Sequence, residues 1–302
     1  AIANTLWAMA TMGVKADTAL VEAMKRTAVN SAQEFNPQAI AITLWALATM
    51  AAEVDAELLA ALSWRAVVTA EGFIPQNVAN TLWALATMRV KADPVLVQVM
   101  SRRAVEMQEA FNPQAIANTL WALASMGAVL DPLLVEAMSC RAVHTAHGFN
   151  PQNVSNILWA LATTGVQPEA QLLHAMKRQA QATVQAFNPQ SVSITLWSLA
   201  TLHAAAQGNG PTSGSMASSA SASASASASS GFSFSSTGGL PGAGLPSFSA
   251  SSLPPPPAHH YPLHQPHPLH LHQSWDDGSD HLPAAGANGK GGGGAVSLDD
   301  DA

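Results

Sequence analysis

Two kinds of apolar stripe alternate along the first 207 residues. One is dense and reads Leu-Trp-Ala-Leu-Ala in its best copies, as at Leu120 to Ala124. The other is sparser: Leu58, Leu62, Ala66 and Ala70 step by four, the spacing of one helical face. The dense run predicts a helix, A, whose side chains pack into a core. The stepped run predicts a second helix, B, whose stripe faces helix A and the neighbouring pair. Trp7, Trp45, Trp83, Trp121, Trp159 and Trp197 repeat this pattern every 38 residues. A unit of that length cannot bury its own apolar face, so the copies must stack.

Local signals set the ends of each helix. Pro37, Pro75, Pro113, Pro151 and Pro189 are each followed by Gln and preceded two residues earlier by Phe. Proline suits the first helical position, and Asn36, Asn112, Asn150 and Asn188 stand where a capping side chain belongs. The Phe then pairs with Ile40, Val78, Ile116, Val154 or Val192 at the fourth helical position as a hydrophobic staple. Ile74 replaces the capping Asn in one copy, which predicts a weaker start there. Gly13, Gly127 and Gly165 can end helix A in the left-handed conformation, whereas Ala51 and Arg89 are expected to leave less sharply defined ends. Asp17, Asp55, Asp93 and Asp131 start helix B, with Pro94 and Pro132 following two of them.

The expected fold is therefore all-α: an α-solenoid of about five and a half tandem 38-residue helix-turn-helix repeats over residues 1–207. Residues 208–302 turn to Ser-Ala alternation and then to Gly, Pro and His, with few branched apolar side chains to offset chain entropy, so this tail is expected to be disordered. Ala1 aligns with Ala39 inside helix A, so the chain is read as beginning in mid-repeat, with any targeting peptide upstream.

Charge narrows the function classes. The chain carries 12 Lys plus Arg against 19 Asp plus Glu. Within 1–207 the balance is 11 against 13, and within the tail 1 against 6. A near-neutral array has no broad electrostatic footprint, so attraction to a nucleic acid must come from local clusters. Cys140 is the only cysteine, which rules out an intrachain disulfide. No apolar run has the length of a membrane span. Phosphate-loop and nucleophile-elbow motifs are missing, so neither an enzyme nor a bound cofactor is expected.

Candidate binding positions are those that vary inside the fixed frame. The third helical residue of A runs Ala39, Asn77, Ala115, Asn153, Ser191, and the sixth runs Asn4, Ile42, Asn80, Asn118, Asn156, Ile194. Asn offers a base edge both a donor and an acceptor, and a three-residue spacing brings two side chains to one nucleotide. The candidate base readers are thus Asn4, Ile42, Asn77, Asn80, Asn118, Asn153, Asn156 and Ser191; the plainer alternative is that these side chains satisfy backbone groups between repeats. Gln38, Gln76, Gln114, Gln152 and Gln190 lie in the first turn of A, where phosphate is favoured and where a glutamine can equally brace the turn. Lys25, Arg26, Arg65, Arg102, Arg103, Arg141, Lys177 and Arg178 fall at one place in B and would stack into a ladder for phosphates, or form a solvated face with Glu22, Glu106 and Glu136. The tryptophans read as packing rather than base stacking. Cys140, His144 and His147 share a helical face but do not recur, which argues against a zinc site. The tail histidines from His259 to His272 form a better adventitious metal tract.

The 38-residue period, the Asn-Pro-Gln entry and the Leu-Trp-Ala-Leu-Ala helix resemble the octotricopeptide repeat family, across residues 1 to about 203. The resemblance implies an α-solenoid binding single-stranded organelle RNA, in the chloroplast or alternatively the mitochondrion, as a sequence-specific adaptor in RNA stability, processing, splicing or translation. It implies about one nucleotide per repeat, read through helix A at the third and sixth positions, and companion proteins in a ribonucleoprotein complex. The rival reading is a protein-interaction scaffold whose concave face holds a peptide or partner helix.

Overall fold

The computed structural model describes residues 2–13 and 18–208. The tail, apart from Gly208, and the cap at Asp17 lie outside the described residues. Among these residues there are eleven α-helices and no strand. The A helices are α1 (Ile2–Met12), α3 (Pro37–Thr49), α5 (Pro75–Met88), α7 (Pro113–Ser125), α9 (Pro151–Thr164) and α11 (Pro189–Ala206). The B helices alternate with them: α2 (Thr18–Asn30), α4 (Ala56–Val68), α6 (Pro94–Glu106), α8 (Pro132–His144) and α10 (Ala170–Ala182). The expected solenoid of helical pairs is the observed fold.

The capping chemistry operates as the sequence requires. Asn36, Asn112, Asn150 and Asn188 each accept a hydrogen bond at 2.8 Å from the backbone N–H three residues on. Ile74 has no such bond, yet α5 still starts at Pro75. Asp55, Asp93 and Asp131 cap α4, α6 and α8. The fifth B helix, α10, begins after Glu169 without a side-chain cap, so no start signal marked it. The staple residues Phe35, Phe73, Phe111 and Phe149 are buried with Ile40, Val78, Ile116 and Val154. In the last pair Val192 is exposed, because no described repeat stacks beyond α11.

Two features differ from expectation. Each B helix ends in a one-turn 3₁₀ segment, Ala32–Glu34 being the first, that leads into the next Phe-Asn-Pro entry. The end of α3 is also as well formed as those capped by glycine, and α5 makes the same turn with the Arg89 N–H on the Ala86 carbonyl at 3.1 Å. Ala51 and Arg89 adopt φ values of 50° and 54°, beside 68° and 71° for Gly127 and Gly165. Ala52 N–H donates to the Leu47 carbonyl at 3.0 Å, the same closure that Ala128 makes to Leu123. Repeat packing imposes the left-handed turn even where the residue disfavours it.

Successive A helices pack far more closely on one another than successive B helices do, so A forms the inner layer and B the outer. Small side chains permit this approach. At 100° per residue the fifth, tenth and twelfth positions of A fall on its two flanks, and in α7 these are Ala117, Ala122 and Ala124, all buried. The fourth, eighth and eleventh positions, Ile116, Leu120 and Leu123, turn to the core between the layers and are fully buried. One narrow stripe of each A helix is left to face away from the core.

Candidate nucleic-acid interface

That stripe comprises the second, sixth, ninth and thirteenth positions, which span an arc of about 60°. It reads Gln76, Asn80, Trp83, Thr87 in α5, Gln114, Asn118, Trp121, Ser125 in α7, and Gln152, Asn156, Trp159, Thr163 in α9. In these three helices access falls from the second position to the ninth and rises again at the thirteenth. Gln38, Gln76, Gln114 and Gln190 are exposed and Gln152 is half-buried. At the sixth position Asn4 is exposed, Ile42 and Asn80 are half-buried, and Asn118, Asn156 and Ile194 are buried.

Five side chains of the stripe carry a buried polar atom without a hydrogen bond. In α9 the Asn156 amide nitrogen, the Trp159 indole N–H and the Thr163 hydroxyl are all buried without a hydrogen bond. The Thr87 and Ser125 hydroxyls, in the two repeats before it, are in the same state. At the two ends of the array the equivalent hydroxyl is occupied: Thr11 donates to the Trp7 carbonyl at 2.7 Å and Thr201 to the Trp197 carbonyl at 2.9 Å. Leaving a buried donor unpaired costs on the order of 1–3 kcal/mol; Thr43, Thr81, Thr119 and Thr195 carry such hydroxyls off the stripe, at the seventh position, whereas those on the stripe lie beside the exposed face. Thr87, Ser125, Thr163 and the indole N–H were not among the residues expected to bind. Their signal was present as hydroxyl residues recurring every 38 positions from Thr49 to Thr201.

The third-position residues sit on the flank toward a neighbouring A helix rather than on the stripe. Asn77, Asn153 and Ser191 are buried there. Asn153 Oδ1 accepts from the Asn150 N–H at 3.4 Å, closing a capping box. Asn153 thus satisfies a backbone group of its own helix entry rather than one between repeats.

The basic residues separate into three registers instead of one ladder. Arg65 Nε donates to the Phe35 carbonyl at 2.8 Å, Arg103 Nε to Phe73 at 3.1 Å and Arg141 Nε to Phe111 at 2.9 Å. Gln179 Nε2 does the same to Phe149 at 2.6 Å. This row braces the entry turn of one repeat against helix B of the next. Lys25 is also engaged: it is buried, donates to the Glu53 carbonyl at 2.8 Å and pairs with Glu22 at 2.7 Å. Arg26, Arg102, Lys177 and Arg178 are exposed on the outer layer. The expected phosphate ladder was drawn from residues that are neighbours in sequence, but adjacent helical residues point 100° apart.

Cys140 Sγ lies 3.8 Å from His144 Nδ1, which is itself 2.8 Å from the Cys140 carbonyl oxygen. Among the described residues no three His, Cys, Asp or Glu side chains converge. No described helix is long and apolar enough to cross a membrane.

No curated protein matches the chain. A family model, that of the RNA-editing substrate-binding complex 6 protein, matches residues 2–209, the whole helical array. That description is RNA-related, and the matched span covers every A helix and with it the full polar stripe. By this match the chain belongs to the RNA-editing substrate-binding complex 6 protein family.

Proposed function

We propose that the array is a sequence-specific adaptor that lays single-stranded RNA along the inner stripe of the A helices. The observation that carries this reading is the row of unpartnered buried donors and hydroxyls at Thr87, Ser125, Asn156, Trp159 and Thr163. The 38-residue recurrence of the three hydroxyls suits a polymer that presents one polar base edge per unit. The half-buried Asn80 and the exposed Gln76 and Gln114 extend the stripe toward the N-terminal end of each A helix, within reach of a bound strand. The family's RNA-related description and the resemblance to octotricopeptide repeats support the same reading.

The adaptor works without catalysis, in organelle post-transcriptional gene expression, in the chloroplast or else the mitochondrion. Other proteins of a ribonucleoprotein complex would supply any chemistry. One observation favours a second reading, a scaffold for a peptide or partner helix: the 11 basic residues of 1–207 do not outnumber the 13 acidic ones.

Selection from a random single-stranded RNA pool on the full chain tests the proposal, with the Asn80→Ala, Asn118→Ala, Asn156→Ala triple variant alongside. The expected result is a short enriched motif that the variant loses. If nothing enriches at low salt, where even non-specific phosphate binding is strong, the scaffold reading replaces it.

A further inference from the structure

We propose that the cleft at the A–B turns of the second to fourth repeats is an anion site that holds a phosphate of the bound strand. The proposal rests on the RNA reading above and adds to it a fixed point on the backbone. The cleft is about 1340 Å³ and is lined by Thr49, Ala51, Thr87, Arg89, Lys91 and Ser125, among others. It meets the inner stripe at Trp121, which also lines it. A base resting on the stripe and its own phosphate in the cleft are therefore within reach of each other.

Of its two cations, Arg89 is peculiar to this repeat and Lys91 recurs only as Lys15. The register of Arg89 is occupied elsewhere by Gly13, Ala51, Gly127 and Gly165, and that of Lys91 by Lys15, Glu53, Val129 and Gln167. Arg89 and Lys91 are both exposed. Neither has an ion pair among the described residues, in contrast to Lys25, Arg103 and Arg141. Arg89 also holds φ at 54°, in the left-handed region where its glycine counterparts sit without strain. Ala51 shares this turn, so the conformation belongs to the repeat; what sets Arg89 apart is an exposed guanidinium, without an ion pair among the described residues, at the cleft.

The lining also takes in two hydroxyls at the end of the stripe, where base and phosphate regions meet. The Thr87 and Ser125 hydroxyls are buried and unpartnered. Arg89 can grip two phosphate oxygens at once, with Lys91 as a point charge beside it. One carboxylate lines the cleft, Asp131, and its Oδ1 is engaged by the Leu133 N–H at 2.9 Å at the start of α8. Asp93 beside it is held the same way by the Val95 N–H at 2.8 Å. Both carboxylates sit at helix N-termini, whose partial positive charge offsets them.

The test replaces the two cations with residues the chain already uses at those registers, Arg89→Gly and Lys91→Gln. The glycine removes the backbone conflict, so the double variant is expected to fold at least as well as the parent. Binding of a mixed-sequence 20-nucleotide single-stranded RNA to the full chain is measured across a salt series. Removing one phosphate contact is expected to flatten the log–log salt slope by about 0.7 and to weaken binding on the order of tenfold at low salt. Unchanged affinity and slope in the variant would overturn the site and leave the RNA reading standing. If the parent binds no RNA, the RNA reading fails, and a thermal melt with inorganic pyrophosphate decides the site by itself. A rise in Tm for the parent that the variant lacks identifies a site for free phosphate, whereas equal melts overturn the proposal.

Discussion

Ala51→Gly is the sharpest test of how the repeat closes. Ala51 sits at φ 50° with its N–H on the Ala48 carbonyl at 3.1 Å and the Ala52 N–H on Leu47 at 3.0 Å. Gly127 and Ala128 make the same two bonds at 3.0 Å each, so the motif is unchanged and only the occupant differs. A side chain in the left-handed region costs about 1–2 kcal/mol. Glycine returns about 0.4–1 kcal/mol of that through the greater freedom of the unfolded chain. The balance is a gain of roughly 0.5–1 kcal/mol, or a Tm increase of about 1–4 °C for an array of this length. Denaturant unfolding followed by circular dichroism of the full chain measures it. Ala51→Val is the control, because a branched side chain resists positive φ more than alanine does and should destabilise. A glycine variant less stable than the parent, or a valine variant equal to it, would show that the left-handed turn is not what closes helix A.

Three further substitutions test the rest of the frame. Ile74→Asn supplies the cap that the other four entry turns possess and should stabilise by about 1 kcal/mol in the same unfolding assay; no gain would mean that Pro75 alone fixes that start. Arg103→Leu breaks the brace to the Phe73 carbonyl and should cost about 1.5–3 kcal/mol, whereas Arg103→Gln, which copies the Gln179 brace, should cost much less; equal losses would show that charge rather than the hydrogen bond matters. Thr119→Val removes a buried hydroxyl that has no partner, at a register where Ile157 is fully buried, and should stabilise by about 1 kcal/mol; a loss on thermal melting would reveal a role for the hydroxyl.

Much of this architecture is legible in sequence because its causes are local. Asn36, Pro37 and Phe35 act within one turn of helix, so a 38-residue recurrence of that triplet locates the A helices. The outlying features depend on neighbours. The sequence suggests loose ends at Ala51 and Arg89, but the next helix must start where packing puts it, and the backbone takes the left-handed turn regardless. The burial of Asn118 and Asn156 follows from how closely the A helices approach, and the recurring Ala117, Ala122 and Ala124 were the sign of that closeness. The bracing role of Arg65, Arg103 and Arg141 is carried by their own 38-residue spacing, which the neighbouring register of Arg26, Arg102 and Arg178 obscures.

Ultraviolet cross-linking of single-stranded RNA to the full chain, with the modified peptides identified by mass spectrometry, tests the central claim most directly. If RNA lies on the inner stripe, adducts fall within α5, α7 and α9, at or beside Trp83, Trp121 and Trp159. Adducts confined to the outer helices α4, α6 and α8, with RNA bound, would contradict it.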